Sequence, residues 1–346
     1  MMHIKHLANE LLIQIFQSCD SVRDVLNLAA ANRHFHRVFT RCNRLSLLFS
    51  VAEVQYGPLD DATQVVTYNS SQAAHIYRQT PQSIALLKQL IDLGKTANRW
   101  TDIYPMTKWK TDYESRRLLS VIERWRLRRA LYRLWLYSRA FHNRQHTRYG
   151  RMQRQVVLER AKLLHNWTSD ELAEIQDLRE VIREVLQSQI CPSNGTIQRQ
   201  FKKRHPESDH QLLFNIHLNY PPPASDFQNR FHSAHQINAS ARAASAMKFT
   251  ASPWHEPGGE GWGDEVPHYY VVEDMLKLDP AQILWLTDNA PLKGMVEAYV
   301  KDLGEWFENN GESFGQTMEW VIRDRGEDID KLREAVIDRE LGIVKV

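Results

Sequence analysis

The stretch SPWHEPGGEGWGDEVPHYY, residues 252–270, gathers His255, Glu256, Asp264, Glu265 and His268, all of types that ligate a divalent metal. A helical zinc site needs two histidines four residues apart so that both imidazoles share a face. Here His255 and His268 are far apart, and Pro257, Gly258 and Gly259 break any helix between them. No metal site is expected. The run Gly-Gly-Glu-Gly-Trp-Gly follows no strand pattern, so it reads as a loop and not as a dinucleotide fingerprint. A Gly-x-Ser-x-Gly elbow and a P-loop are both absent. Cys19, Cys42 and Cys191 stand too far apart to suggest a disulfide framework or a cysteine zinc site. The chemistry expected of this chain is recognition, with no catalytic residue, no cofactor and no enzymatic activity of its own.

Two stretches carry recognition chemistry. In the Gly- and Pro-rich loop just quoted, Trp254, Trp262, Tyr269 and Tyr270 are costly to leave in water. They either anchor the loop to the body of the protein or face a partner. In the second case Asp264, with Glu260 and Glu265, favours a basic target. From Arg116 to Arg154 there are twelve Arg, no Lys and a single acid, Glu123, with Trp125, Tyr132, Trp135, Tyr137 and Phe141 interleaved. Arg126, Arg129 and Arg133 are the candidate partner-binding cations, since guanidinium and aromatic groups together suit phosphates and bases. Leu118, Ile122, Trp125, Leu131, Leu134 and Trp135 also form a helical stripe that would face a core. Arg stems pack readily over Trp125 and Trp135. The reading taken is internal packing and pairing, with an acidic protein partner and nucleic acid as alternatives.

Composition supplies the internal partner. The net charge of +2 hides an asymmetry: residues 255–346 hold nine Lys+Arg and twenty-one Asp+Glu, a balance of −12, which leaves +14 on residues 1–254. With 346 residues, 42% hydrophobic, and ten Trp, the chain can bury a substantial core. Met1 to His6 lacks the apolar run of a signal peptide, and the longest apolar stretches, such as LSLLFSVA at 45–52, fall short of a membrane span. A soluble protein of the cytoplasm or nucleus, without membrane contact, is expected.

The elements that must position these groups read as helices. Thr80, Pro81 and Gly94 punctuate one, as N-cap, first position and end. Thr111 and Glu114 stand in capping-box relation before a pattern running to about His142. Leu172, Ile175, Leu178, Ile182 and Val185 or Leu186 form the stripe of another, ending at Pro192. Residues 192–254 read as an irregular insertion with a helix near 225–248. Helices then begin near Pro280 and Pro291, one ends at Gly311, and a pair spans about 313–325 and 327–340. No strand alternation persists, so the expected class is mainly α: a three-helix N-terminal module at 1–50, a connection at 51–80 and a helical partner-binding domain at 81–346.

The N-terminal module has its own pattern. In LANELLIQIFQSCDSVRDVLNLAAANRHFHRVF, residues 7–39, Leu11, Leu12, Ile15 and Phe16 make one helical stripe. Ser21 precedes Asp24 at capping-box spacing, starting a helix at Val22 with Val25, Leu26, Leu28 and Ala29 apolar. A third helix from about Asn32 places Phe35, Val38 and Phe39 on one side. This stretch resembles the F-box. That family opens on Leu-Pro-x-Glu-Leu-Leu with Ile-Phe shortly after, matched here by Leu7, Glu10, Leu11, Leu12, Ile15 and Phe16, with Ala8 where the family has proline. Asp24, Leu26 and Leu28 match its middle, and Arg33, Phe35 and Phe39 its end. The resemblance implies binding of a Skp-type adaptor through Leu7, Ala8, Glu10, Leu11, Ile15, Val25, Leu26, Phe35 and Phe39. Through the adaptor it implies a cullin, with an unknown protein target held by the remainder. No propeller or leucine-rich period follows. The rest is similar to the non-repeat helical regions of filamentous-fungal F-box-like proteins.

Overall fold

The computed structural model describes residues 7–70, 80–146, 150, 153–207, 271–304, 306–307 and 311–345. Among them the chain is helical and without strands, as its patterning requires. The helices are α1 (Asn9–Gln17), α2 (Val22–Ala31), α3 (Arg33–Arg41), α4 (Arg44–Tyr56), α5 (Leu59–Thr67), α6 (Ile84–Lys108), α7 (Val121–Phe141), α8 (Arg154–His165), α9 (Ser169–Val185), α10 (Asn194–Arg204), α11 (Pro280–Asn289), α12 (Lys293–Leu303), α13 (Phe314–Asp324) and α14 (Ile329–Ile337). The chain divides into two compact units. One is Met1–Tyr137, Lys162–Leu178 and Arg325–Val346, and the other Ser138–Ala161 and Arg179–Asp324.

In the first unit, α2 starts at its expected cap, the Ser21 hydroxyl accepting from the Asp24 N–H at 3.1 Å. Asn32 caps α3 in the same way, accepting from the His34 N–H at 2.8 Å. Of the connection expected at 51–80, the described part up to residue 70 is instead largely helical, because α4 and α5 bury Val51, Ala52, Tyr56, Ala62 and Val65. Both pack on α6, and Gly94 is the reason α4 can lie so close. A Cβ at Gly94 would fall within 2.3 Å of the Tyr56 ring, so only glycine permits the crossing. Gly94 therefore lies inside α6 and does not end it, and the cap is Ser83 in place of Thr80.

The start of α7 also differs from the expected Thr111. Ser120 and Glu123 form its capping box, the Ser120 N–H donating to the Glu123 carboxylate at 2.7 Å and the Glu123 N–H to the Ser120 hydroxyl at 3.3 Å. Thr168 and Glu171 start α9 by the same exchange. Trp100, Tyr104, Trp109, Leu127, Leu131, Tyr132 and Trp167 fill the core. Asp177, buried on α9, accepts from the Tyr104 hydroxyl at 2.6 Å, Lys108 Nζ at 2.7 Å and the Ile343 N–H at 3.0 Å, tying the C-terminal segment down.

The second unit starts α11 on a capping box between Asp279 and Gln282 with Pro280 in the first turn, as its sequence suggested. Gly304, at φ 94°, closes α12, while Gly311 donates its N–H to Asp274. Lys277 and Asp274 form a buried ion pair at 2.9 Å, and Arg179 pairs with Glu312 at 2.6 Å. The expected irregular stretch after Pro192 opens instead with α10, capped by Ser193. The remainder of that stretch, including 225–248, lies outside the described residues.

Candidate protein-interaction site

The three N-terminal helices sort their apolar residues into two sets. Leu12 and Phe16 of α1, Val22, Val25 and Ala29 of α2, and Phe35, Val38 and Phe39 of α3 are buried. Phe16 and Phe39 meet with ring centroids 5.7 Å apart. Val25, Phe35 and Phe39, expected on an adaptor-binding surface, are thus committed to the unit's own core. They close three short helices that also rest on α4, where the Val22 N–H donates to Gln55 at 3.0 Å. The second set faces outward. Leu11 is 46% and Leu26 48% exposed, Leu7 and Ile15 are half-buried, and Ala8 and Glu10 are exposed. Leu11 and Ile15, four residues apart, lie on one side of α1, and Leu7 stands just ahead of its cap, Ala8. Ala8 has φ −61° and ψ 149°, a conformation that proline also adopts.

The arginines of α7 behave differently. Arg133 is buried, 2.8 Å from Asp61 of α5 and 3.0 Å from Glu171 of α9. Arg129 reaches Glu174 at 2.6 Å and Glu171 at 3.1 Å, with its guanidinium 4.6 Å above the Trp125 ring. Arg126 lies 3.8 Å from Glu174. Arg128 donates to the Gly57 carbonyl at 2.8 Å, and Arg117 clamps Glu123. Internal pairing and stacking on Trp125 are what the sequence suggested. The carboxylates that Arg126, Arg129 and Arg133 meet come from α5 and α9, however, and the one that Arg117 meets from α7 itself. Of the acids in residues 255–340, Asp279 lies 4.0 Å from Arg139 in the second unit. Arg129 and Arg133 are consequently occupied, which removes both as partner-binding cations.

Burial sets the titration of these acids. At Asp61, desolvation outweighs the charge and hydrogen bond of Arg133 and pushes the carboxyl up. Glu174 is raised for the same reason despite Arg129. At Glu171 burial is overcome by Arg133, the Thr168 N–H and Arg129, and the carboxyl is lowered. The Arg117 hydrogen bond brings Glu123 down to about 2. Burial pushes the Cys191 thiol up to about 12 and raises Cys19 and Cys42, the opposite of what a thiolate nucleophile requires.

The front end of α7 holds a surface that the periodicity misplaced. Leu118, Ile122 and Trp125, expected in a core stripe with Leu131, Leu134 and Trp135, are exposed, whereas the latter three are buried. Val121 is exposed beside them. The legible signal was the Ser-x-x-Glu box at 120–123, which leaves Leu118 outside the helix. Trp254, Trp262, Asp264, Tyr269 and Tyr270, together with His255 and His268, lie outside the described residues. Among the described residues no cluster of His, Cys, Asp or Glu could hold a metal, and no helix is long and apolar enough to cross a membrane. No protein-family model matches the chain, and no curated protein or solved structure matches it either.

Proposed function

We propose that this chain is a substrate-recruiting subunit of the F-box type. Leu7, Ala8, Glu10, Leu11, Ile15 and Leu26 bind a Skp-type adaptor, a cullin is reached through it, and the rest of the chain holds a protein target for ubiquitylation. The observation that carries the reading is the pair of exposed leucines, Leu11 and Leu26, on three helices, α1 to α3, whose other large apolar side chains are mostly inside. Covering a leucine contributes about 1.5–3 kcal/mol relative to leaving it in water, so two of them supply a useful share of an interface. The test is a titration of the purified full chain with a Skp-type adaptor. Binding at micromolar concentration is expected, lost in Leu11→Glu and in Leu26→Glu while the melting temperature stays unchanged. Absence of binding, or equal binding by both variants, overturns the reading. Cullin in the purified complex distinguishes a ligase subunit from a scaffold that joins the adaptor without ubiquitylation.

A further inference from the structure

Leu118 is 84%, Val121 73% and Ile122 64% exposed, and Trp125 lies next to them on the first turns of α7. Residues three and four apart share a helical face, so Val121, Ile122 and Trp125 form one strip, with Leu118 just ahead of the capping box. The same geometry puts Arg124 along one border of the strip and Arg126 along the other. Arg116, which stacks on Tyr113 at 5.6 Å, stands at its head. Arg116 and Arg124 are exposed and have no acidic partner among the described residues, in contrast to the occupied Arg129 and Arg133. Exposed apolar patches on the order of a few hundred Å² are often functional on a monomer.

We infer that this strip is a docking surface for an acidic amphipathic segment of a partner protein, its apolar side chains covering Leu118, Val121 and Ile122 and its carboxylates meeting Arg116 and Arg124. The inference stands apart from the adaptor reading, which concerns α1 and α2. Charge complementarity selects the occupant: an aliphatic strip flanked by Arg116 and Arg124, which meet no acid among the described residues, suits a segment with leucine-like side chains bordered by acids. Nucleic acid fits less well. Aliphatic side chains offer bases no stacking platform, and the one aromatic face in the strip, Trp125, is already taken by the Arg129 guanidinium at 4.6 Å.

The test uses the full chain and a dye-labelled synthetic peptide with leucine at i, i+3, i+4 and i+7 and glutamate between, read by fluorescence anisotropy. A matched peptide carries lysine at every glutamate. The glutamate peptide should bind at least tenfold more tightly than the lysine peptide, and the preference should weaken with salt. Ile122→Asp should lower its affinity about tenfold or more, and Arg124→Glu should remove the preference. Leu118→Ser, outside the helix and therefore unable to disrupt it, should weaken binding with an unchanged melting temperature. Equal binding of the two peptides, no binding of either, or binding indifferent to these substitutions overturns the inference. So does an Ile122-dependent affinity for an oligothymidylate or for phosphatidylserine vesicles that exceeds that for the glutamate peptide. Self-association abolished by Ile122→Asp would assign the strip to a second copy of the chain and overturn it equally.

Discussion

Helices α3 and α7 solve opposite problems within one unit. In α3, Arg33, Arg37 and Arg41 are exposed while Phe35, Val38 and Phe39 are buried. In α7, Arg128 and Arg133 are buried while Val121 and Ile122 are exposed. The difference lies in what each helix packs against. α3 meets apolar faces of α1 and α2, so its cations have nowhere to go but water. The middle of α7 meets Asp61, Glu171 and Glu174, and carboxylates at 2.6–3.1 Å make burial of a guanidinium tolerable. Its first turn lacks such cover, and there apolar side chains face solvent. An arginine-rich helix is therefore no index of a nucleic-acid surface until its carboxylate neighbours are known.

The largest expected effect separates the two helices directly. Arg133→Ala leaves Asp61 buried without its cation and should cost about 3–5 kcal/mol, measured by chemical denaturation. Arg37→Ala on α3 should stay within about 0.5 kcal/mol. Similar losses at both sites would erase the contrast. Asp61 titrates above its ordinary range even beside Arg133, so the pair's value lies in avoiding an orphaned charge more than in net attraction.

A smaller effect appears with pH at the head of α7. Glu123 is held at about 2 when folded, below its unfolded value of about 4.3. Its contribution is therefore whole above the unfolded value and is lost as pH falls through the folded one. The stability difference between the native chain and Glu123→Gln should be constant near neutrality and shrink between about pH 4 and pH 2, followed by denaturation at each pH. A difference that does not change over that interval would mean the Arg117–Glu123 clamp contributes nothing.

The smallest effect sharpens the other side of the comparison. Ala8 already has the φ of proline, so Ala8→Pro should stabilise the N-terminal helices by about 0.4–1 kcal/mol through the unfolded state. It should also tighten adaptor binding. A lowered melting temperature would show that the Ala8 N–H, and not its dihedral, matters to α1.

Legibility followed the range of the interaction involved. The cap Ser21 and the helix starts near Asn32 and Pro280 were readable because a helix start is signalled within a turn of chain, whereas Thr80 and Thr111 were misread because Ser83 and Ser120 offer the same short-range signal a few residues on. Gly94 was misread as a stop because nothing near it in sequence reveals the Tyr56 ring pressed against it. Across α1 to α3, Leu11 and Leu26 face outward as the resemblance implied, but Val25, Phe35 and Phe39 do not, since an apolar stripe does not say whether the unit itself or a partner will cover it.

The sequence by itself determined a mainly helical chain, the Ser21 cap of α2, and the concentration of arginine and aromatic residues between 116 and 154. The tertiary structure decided which of those arginines are spent on Asp61, Glu171 and Glu174 and which, near Leu118 and Ile122, meet no acid among the described residues. Capping is set by groups three residues apart. The burial of a charge instead depends on carboxylates brought from distant helices, and one-dimensional spacing carries no record of that encounter.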